Sequence, residues 1–165
     1  MLTPKRIYEE ELLDAGAGTD DDVAQNLLDL RRINRLLGGT RVVLNTLAAA
    51  VKGQGIARLS LLDVGTGSAD IPSAVAGWCQ SRGIEPMVVA LDISARNLRV
   101  ARTKLGIGGG LELVQADSLR LPFKAKSVDY VTASLFLHHF NEADRFAGFE
   151  KVTPPSIERA KNISA

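Results

Sequence analysis

The chain has 165 residues, of which 45% are hydrophobic and 24% are charged, and its 20 basic and 19 acidic side chains leave a formal net charge of +1. This length favours one domain with a sizeable core, and the balanced charge argues against a dedicated nucleic-acid binder, which is usually strongly basic. A single cysteine, Cys79, excludes an intramolecular disulfide framework and a multi-cysteine metal site.

The first part of the chain is predicted to form two helices. Thr19 and Asp22 have the spacing of a capping box, which marks the start of a helix. The Gly38-Gly39 pair is expected to end that helix, and Thr40 to cap a second helix that continues to Val51. Apolar residues recur at helical spacing along the first helix: Val23, Leu27, Leu30, Ile33 and Leu37.

No targeting or membrane-spanning segment is expected. The chain turns acidic after its first six residues, before any apolar run, which is not the pattern of a signal peptide. The most apolar helical stretch, residues 42–51, is about half as long as a bilayer requires. We therefore expect a cytoplasmic protein that does not contact a membrane.

The pattern changes after residue 55, where short apolar runs typical of buried parallel strands alternate with helices. Strands are predicted over 59–64, 87–91, 111–116 and 128–134, and helices over 71–81 and 94–105. This alternation indicates an α/β fold with a mainly parallel sheet and right-handed crossovers. The expected segments are an N-terminal helical cap over 1–55, a core over 56–140, and a C-terminal helix and tail over 141–165.

Three predicted strands end in residues suited to an adenosine-bearing ligand. The first runs into Gly65-Thr66-Gly67, whose glycines let a ligand approach the backbone and the positive end of the next helix. The second ends at Asp92, about 25 residues beyond Gly67, a spacing at which a carboxylate can accept hydrogen bonds from ribose hydroxyls. The third ends at Asp117, which could face an adenine amino group. Ligands of open α/β sheets bind at the carboxyl ends of the strands, so an adenosine site is predicted there.

These strand ends resemble those of class I S-adenosylmethionine (SAM)-dependent methyltransferases. Within that family they most resemble the small-molecule branch that includes quinone-biosynthesis enzymes. Residues 61–71 are similar to the first motif of that family, 91–94 to its second, and 115–117 with 121–123 and 128–131 to its third and fourth. The resemblance implies a Rossmann-like, doubly wound fold with SAM as the cofactor. It also implies a set of cofactor-binding residues: Asp63, Gly65, Thr66, Gly67, Asp92, Ile93, Ala116, Asp117, Ser134 and Leu135.

The resemblance further implies transfer of a methyl group to oxygen or carbon of a small organic acceptor. No amino-methylation motif follows the fourth strand, where Ser134-Leu135-Phe136-Leu137 stands, so nucleic acid is not expected as a partner. His138 and His139 are near the expected acceptor position and could deprotonate a phenol or an enol, although packing or helix capping is the simpler interpretation of both. No metal is expected.

The sequence departs from the family in two places. Ala69 stands at the third glycine position of the first motif, and no strand pattern follows Phe140, whereas the family has seven strands and only about four are evident here. We hypothesise a C-terminally shortened chain, whose fourth strand would be an uncovered edge through which copies of the chain could associate.

Two alternative functions stay open. The chain could be a non-catalytic remnant that binds SAM weakly or not at all, or a dinucleotide-dependent oxidoreductase, although Asp70 occupies the last glycine position of the dinucleotide fingerprint. The helix after Asp92 is basic through Arg96, Arg99, Arg102 and Lys104, which indicates either a solvated face or an acidic partner.

Overall fold

The computed structural model describes residues 18–104 and 110–134. Its elements are α1 (Asp20–Leu37), α2 (Gly39–Val51), β1 (Arg58–Val64), α3 (Asp70–Gln80), β2 (Glu85–Asp92), α4 (Ala95–Lys104), β3 (Leu111–Gln115), a 3-10 turn (Ser118–Arg120) and β4 (Tyr130–Thr132). The four strands are parallel and form one sheet in the order β3-β2-β1-β4. The predicted α/β class and the parallel sheet are therefore confirmed. No helix in the described ranges is long and apolar enough to cross a membrane.

The ends of α1 lie where the sequence predicts them. The backbone N–H of Thr19 donates to Asp22 Oδ2 at 2.6 Å, and the N–H of Asp22 donates to Thr19 Oγ1 at 3.3 Å, which completes the capping box. Gly38 ends the helix in the left-handed conformation, at φ 80°, which glycine adopts without the steric cost of a Cβ.

The predicted Thr40 cap of α2 is wrong. α2 begins at Gly39, and its N-cap is Gly38, which makes no side-chain hydrogen bond to the helix. Because the same glycine ends α1 and precedes α2, the two helices are joined by a single residue, and Thr40 falls inside the first turn.

The apolar stripe predicted along α1 is buried only in its first half. Val23 and Leu27 form a buried cluster with Val100 of α4. The stripe then continues into partly or mostly exposed residues, since nothing in the described part of the chain covers it: Leu30 is 43% exposed, Ile33 47% and Leu37 66%.

The core lies on both faces of β1, the strand between β2 and β4. Leu59 and Leu61 face the cluster formed with α2 and α3, whereas Leu62 and Val64 face a second cluster on the other side of the sheet. All four side chains are fully buried, as expected of a central parallel strand covered on both faces.

Two strands differ from their predicted form. Met87, predicted as part of a buried strand, is half-exposed near the start of β2. β4 covers 130–132 rather than 128–134; before its start, the Asp129 carboxylate accepts the Ser60 N–H at 2.9 Å in place of a backbone acceptor. Of the described strands, β1 alone pairs with β4. The predicted self-association through this edge stays a prediction.

Candidate functional site

The loop after β1 lies at the point where the strand order reverses, between β1 and β4. Ligands of doubly wound sheets bind at this point. Three loop residues have left-handed backbone conformations: Gly65 at φ 67°, Gly67 at φ 51° and Ala69 at φ 53°. Ala69 therefore has a left-handed conformation that glycine adopts more easily, at a steric cost of about 1 kcal/mol.

Asp92, at the end of β2, is joined directly to this loop. Its Oδ2 accepts the Gly67 N–H at 2.9 Å, and its Oδ1 accepts the Ser94 N–H at 2.9 Å. Both bonds fix the position of a carboxylate that is itself buried. The sequence pointed to Asp92 as a ligand residue but missed its second role as an anchor of the loop.

Asp63 connects the end of β1 to the loop and to β4. Thr66 Oγ1 donates to its Oδ2 and Thr132 Oγ1 donates to its Oδ1, both at 2.6 Å. The residue is only 3% exposed. Burial raises the pKa of Asp63 to about 7, against the opposing effect of the two hydroxyl donors and with a smaller contribution from the nearby carboxylates Asp70 and Asp92.

The end of β3 brings a second acid beside Asp92. The strand register pairs Asp92 with Gln115, so Asp117 lies two residues beyond, at the same edge of the sheet. Its Oδ1 accepts the Leu119 N–H at 2.9 Å and caps the 3-10 turn. Ile93 is largely exposed at this edge. Ala116 is partly buried and packs against the second core cluster.

Ser134 lies two residues beyond β4, at the same edge. Its Oγ is buried and has no hydrogen-bond partner among the residues that the structure describes. A buried hydroxyl without a partner costs about 1–3 kcal/mol, so a polar group of a ligand would stabilise it. The other candidates beyond β4, Leu135, His138 and His139, lie outside the described residues, as does the segment 141–165.

α1 lies against the glycine loop. A Cβ at position 67 would lie 3.5 Å from Leu27 Cδ2. Two turns further along α1, Asn34 Nδ2 donates to Asp70 Oδ2 at 2.8 Å, and the other oxygen of Asp70 accepts the Ser68 hydroxyl at 2.8 Å. Asn34 is 5% exposed. Sequence reasoning missed this contact, although a polar residue seven positions after Leu27, on the same face of the helix, was a signal for it.

The N-terminal end of α1 is attached to α4. Arg96 donates to the Asp20 carboxylate at 2.8 Å and to the Gly18 carbonyl at 2.6 Å, and Arg99 lies 3.4 Å from the same carboxylate. The hydrogen bond from Arg96 is the largest of the effects that lower the pKa of Asp20. The basic helix after Asp92 therefore has an acidic partner within the chain, and a purely solvated face is wrong for Arg96 and Arg99.

We expect Asn34→Ala to lower the free energy of unfolding by about 1–3 kcal/mol, because the Asp70 carboxylate loses a donor at a partly buried position. Urea denaturation measures the change. Asn45→Ala, at an exposed position of α2, is the matched control and should alter stability by less than about 0.5 kcal/mol. Equal effects of the two variants would contradict the assignment. Gly39→Ala should resemble Asn34→Ala, since a Cβ there would collide with Asn34 Oδ1.

Three comparisons with known proteins point to the same family. Residues 62–151 match the model of a family described as a methyltransferase domain. The chain is 34% identical over 90 residues to the ubiquinone/menaquinone biosynthesis C-methyltransferase UbiE of Idiomarina loihiensis, an alignment that covers 53% of this chain and 35% of that protein. For a second such relative, from Ectopseudomonas oleovorans, the alignment covers 49% of that protein. The chain thus spans about a third to a half of the length of these curated relatives.

Solved structures resemble the fold. A protein of Methanococcus maripaludis, assigned to the S-adenosyl-L-methionine-dependent methyltransferases, superposes with a TM-score of 0.59 at 14% identity, over 90% of this chain and 63% of that one. A protein of Bacillus halodurans, assigned as a methyltransferase, superposes with a TM-score of 0.51 at 25% identity, over 67% of this chain and 46% of that one. At 14% identity the first likeness concerns the fold alone.

Proposed function

The chain belongs to the methyltransferase domain family, whose model matches residues 62–151, and on this premise we propose that it binds SAM and transfers the methyl group to a small organic acceptor. The observation that carries the proposal is the hydrogen bond between Gly67 N–H and Asp92 Oδ2, at 2.9 Å. It joins a glycine loop to a carboxylate on the neighbouring strand, at the switch point of the sheet, as a nucleoside site requires.

The roles of the cofactor-binding residues follow the positions of the strand ends. Asp92 would accept the ribose hydroxyls. Asp117 and Ala116, on the neighbouring strand end, would hold the adenine, with the exposed Ile93 side chain beside it. The methionine end would lie over the glycine loop, at Gly65 and Gly67, and beside Ser134 and Leu135. Asp63 and Thr66 would maintain the shape of the loop. The buried Ser134 hydroxyl, which has no partner in the described ranges, fits a contact with the methionine amino or carboxylate group.

Methyl transfer from SAM requires little of the protein beyond the orientation of the reactants. SAM supplies a methyl group that is already activated by its sulfonium. The chain therefore has to hold acceptor and methyl carbon in line with sulfur and exclude water. Leu27 of α1 lies against Gly67, so the N-terminal cap over 1–55 would provide part of that cover. His138 and His139 stay the candidate bases, needed only for an acceptor that is not already nucleophilic.

A dinucleotide cofactor fits this site less well. In dinucleotide-binding folds the pyrophosphate sits at the N-terminus of the helix after the glycine loop. Here the first residue of α3 is Asp70, whose carboxylate is fixed by Asn34 and Ser68. Its negative charge would repel a pyrophosphate at the same helix end. SAM has no phosphate, and its sulfonium and amino group are positively charged, so it is repelled less than a pyrophosphate.

The acceptor is proposed to be a small aromatic or enol-forming compound methylated at carbon or oxygen. The named relatives are C-methyltransferases of ubiquinone and menaquinone biosynthesis, which favours methylation at carbon.

Titration calorimetry of the chain with SAM, followed by a methyl-transfer assay on phenolic and quinol acceptors, tests the proposal. We expect micromolar SAM binding with a rise in melting temperature, and turnover of at least one acceptor. Binding far weaker than micromolar, without a thermal shift, would instead indicate a non-catalytic remnant of a methyltransferase. A preference for NAD over SAM in the same calorimeter would indicate the oxidoreductase.

A further inference from the structure

A second concave surface lies between α2 and the C-terminal half of α3. This groove has a volume of about 420 Å³ and shares no lining residue with the cofactor site. Arg35, Arg41 and Arg82 contribute three guanidinium groups to it, and none of its lining residues is acidic. Its volume falls within the range of about 300–1,000 Å³ that is typical of small-molecule sites.

In the part of the chain that the structure describes, no ion pair neutralises Arg35 or Arg41. Residues 30–62 contain six basic side chains and no acid, whereas residues 1–29 contain eight acids and two bases. The ion pairs in the described ranges involve Arg32, Arg58, Arg96 and Arg99, so neither Arg35 nor Arg41 is neutralised there. Like charges held together repel one another, and an anion between them relieves this repulsion.

The N-terminus of α2 offers the groove unsatisfied hydrogen-bond donors. No side chain caps this helix, and its first turn contains no acid. Gly38, its N-cap residue, and Thr40, in its first turn, both line the groove. The uncapped N–H groups can donate hydrogen bonds to a negative group near the arginines.

The opposite wall combines an aromatic ring with a fixed guanidinium. Arg82 lies 4.5 Å from the centre of the Trp78 ring, and its Nη1 lies 3.2 Å from the Ser81 hydroxyl. The stacking restricts the Arg82 side chain before any ligand arrives. Leu44 and Ala48 line the same groove, so an apolar surface adjoins the charged one.

We propose that this groove binds the phosphoryl group of an amphipathic anionic ligand. Arg35, Arg41 and Arg82 would hold the phosphoryl oxygens, because planar guanidinium groups bind phosphate through paired N–H donors. Trp78 and Leu44 would contact the apolar part. The phosphoryl group can belong to a free phosphate ester or to the headgroup of an anionic lipid. In the second case the sequence-based expectation of no membrane contact would be wrong. The proposal does not depend on the methyltransferase activity.

The emission of Trp78, the only tryptophan of the chain, provides a direct readout. The full chain is titrated with inorganic pyrophosphate, with an aryl phosphate ester, and with phosphatidylcholine vesicles that contain or lack phosphatidylglycerol. We expect a saturable change in emission with the phosphate probes, the vesicles containing phosphatidylglycerol, or both. Arg41→Gln should weaken that binding about tenfold, which corresponds to the loss of one charge-assisted contact.

Arg102→Gln, which removes the same charge from an exposed position of α4, is the matched control and should leave the binding unchanged. A response to the phosphate probes alone assigns a free ester, and a response to the anionic vesicles alone assigns a lipid headgroup. No saturable response to any probe would overturn the proposal. Equal weakening by Arg41→Gln and Arg102→Gln would also overturn it, since the attraction would then be a general effect of net charge.

Discussion

Replacing Asp92 with alanine is expected to weaken SAM binding about a hundredfold or more. Two hydrogen bonds from ribose hydroxyls to a carboxylate contribute about 1.5 kcal/mol each, and their joint loss corresponds to about two powers of ten in the dissociation constant. The variant also loses the bonds from Gly67 N–H and Ser94 N–H, so the loop itself is expected to loosen. Titration calorimetry with SAM measures the affinity.

Two further variants provide an intermediate case and a control. Asp92→Asn keeps one acceptor oxygen and should give an intermediate affinity. Glu112→Ala removes an exposed acid of β3 and should leave SAM binding unchanged. Circular dichroism should show that all three variants remain folded. An unchanged affinity in folded Asp92→Ala would refute the proposed cofactor site.

Asp63 is expected to make the fold less stable as the pH rises from about 4 to about 7. Burial raises the pKa of this carboxyl to about 7 in the folded chain, from an ordinary value of 3.8. Between these values the folded state holds a proton that the unfolded state releases. Each pH unit in that window therefore lowers the free energy of unfolding by up to about 1.4 kcal/mol. The contribution is fully present below pH 3.8 and is lost as the pH passes 7.

Asp63→Asn isolates this contribution, because the amide has a similar shape and does not titrate. Urea denaturation at several pH values should show that the stability difference, parent minus variant, falls between pH 4 and 7 and is flat above. Thr132→Val removes one of the hydroxyl donors that lower the pKa of Asp63, so it should extend the window to higher pH. A difference that grows with pH in this range would contradict the assignment.

The sequence predicted the strand ends of the site well, because parallel strands bring their carboxyl ends to one edge whatever the details of packing. The loop after β1, Asp92 and Asp117 meet at that edge in the structure. The family comparisons confirm the resemblance to SAM-dependent methyltransferases. The roles of the individual residues stay predictions.

What the sequence could not provide were pairings between distant residues. The bond from Asn34 to Asp70 joins positions 36 residues apart, and the pairs of Asp20 with Arg96 and Arg99 join positions further apart still. Local spacing contains no information about such contacts. The same limit explains the error at Thr40, whose cap pattern was locally sound but was displaced by a one-residue connection between two helices.

The polar attachments at the two ends of α1 differ in chemistry, and they respond differently to dissolved ions. The link to α4 is ionic and partly exposed, so dissolved ions screen it. The link through Asn34 is a hydrogen bond from a buried amide, which screening scarcely affects. Raising the ionic strength should therefore weaken the polar attachment of the Thr19 end more than that of the Asn34 end, whereas the apolar contact of Val23 and Leu27 with Val100 is not screened.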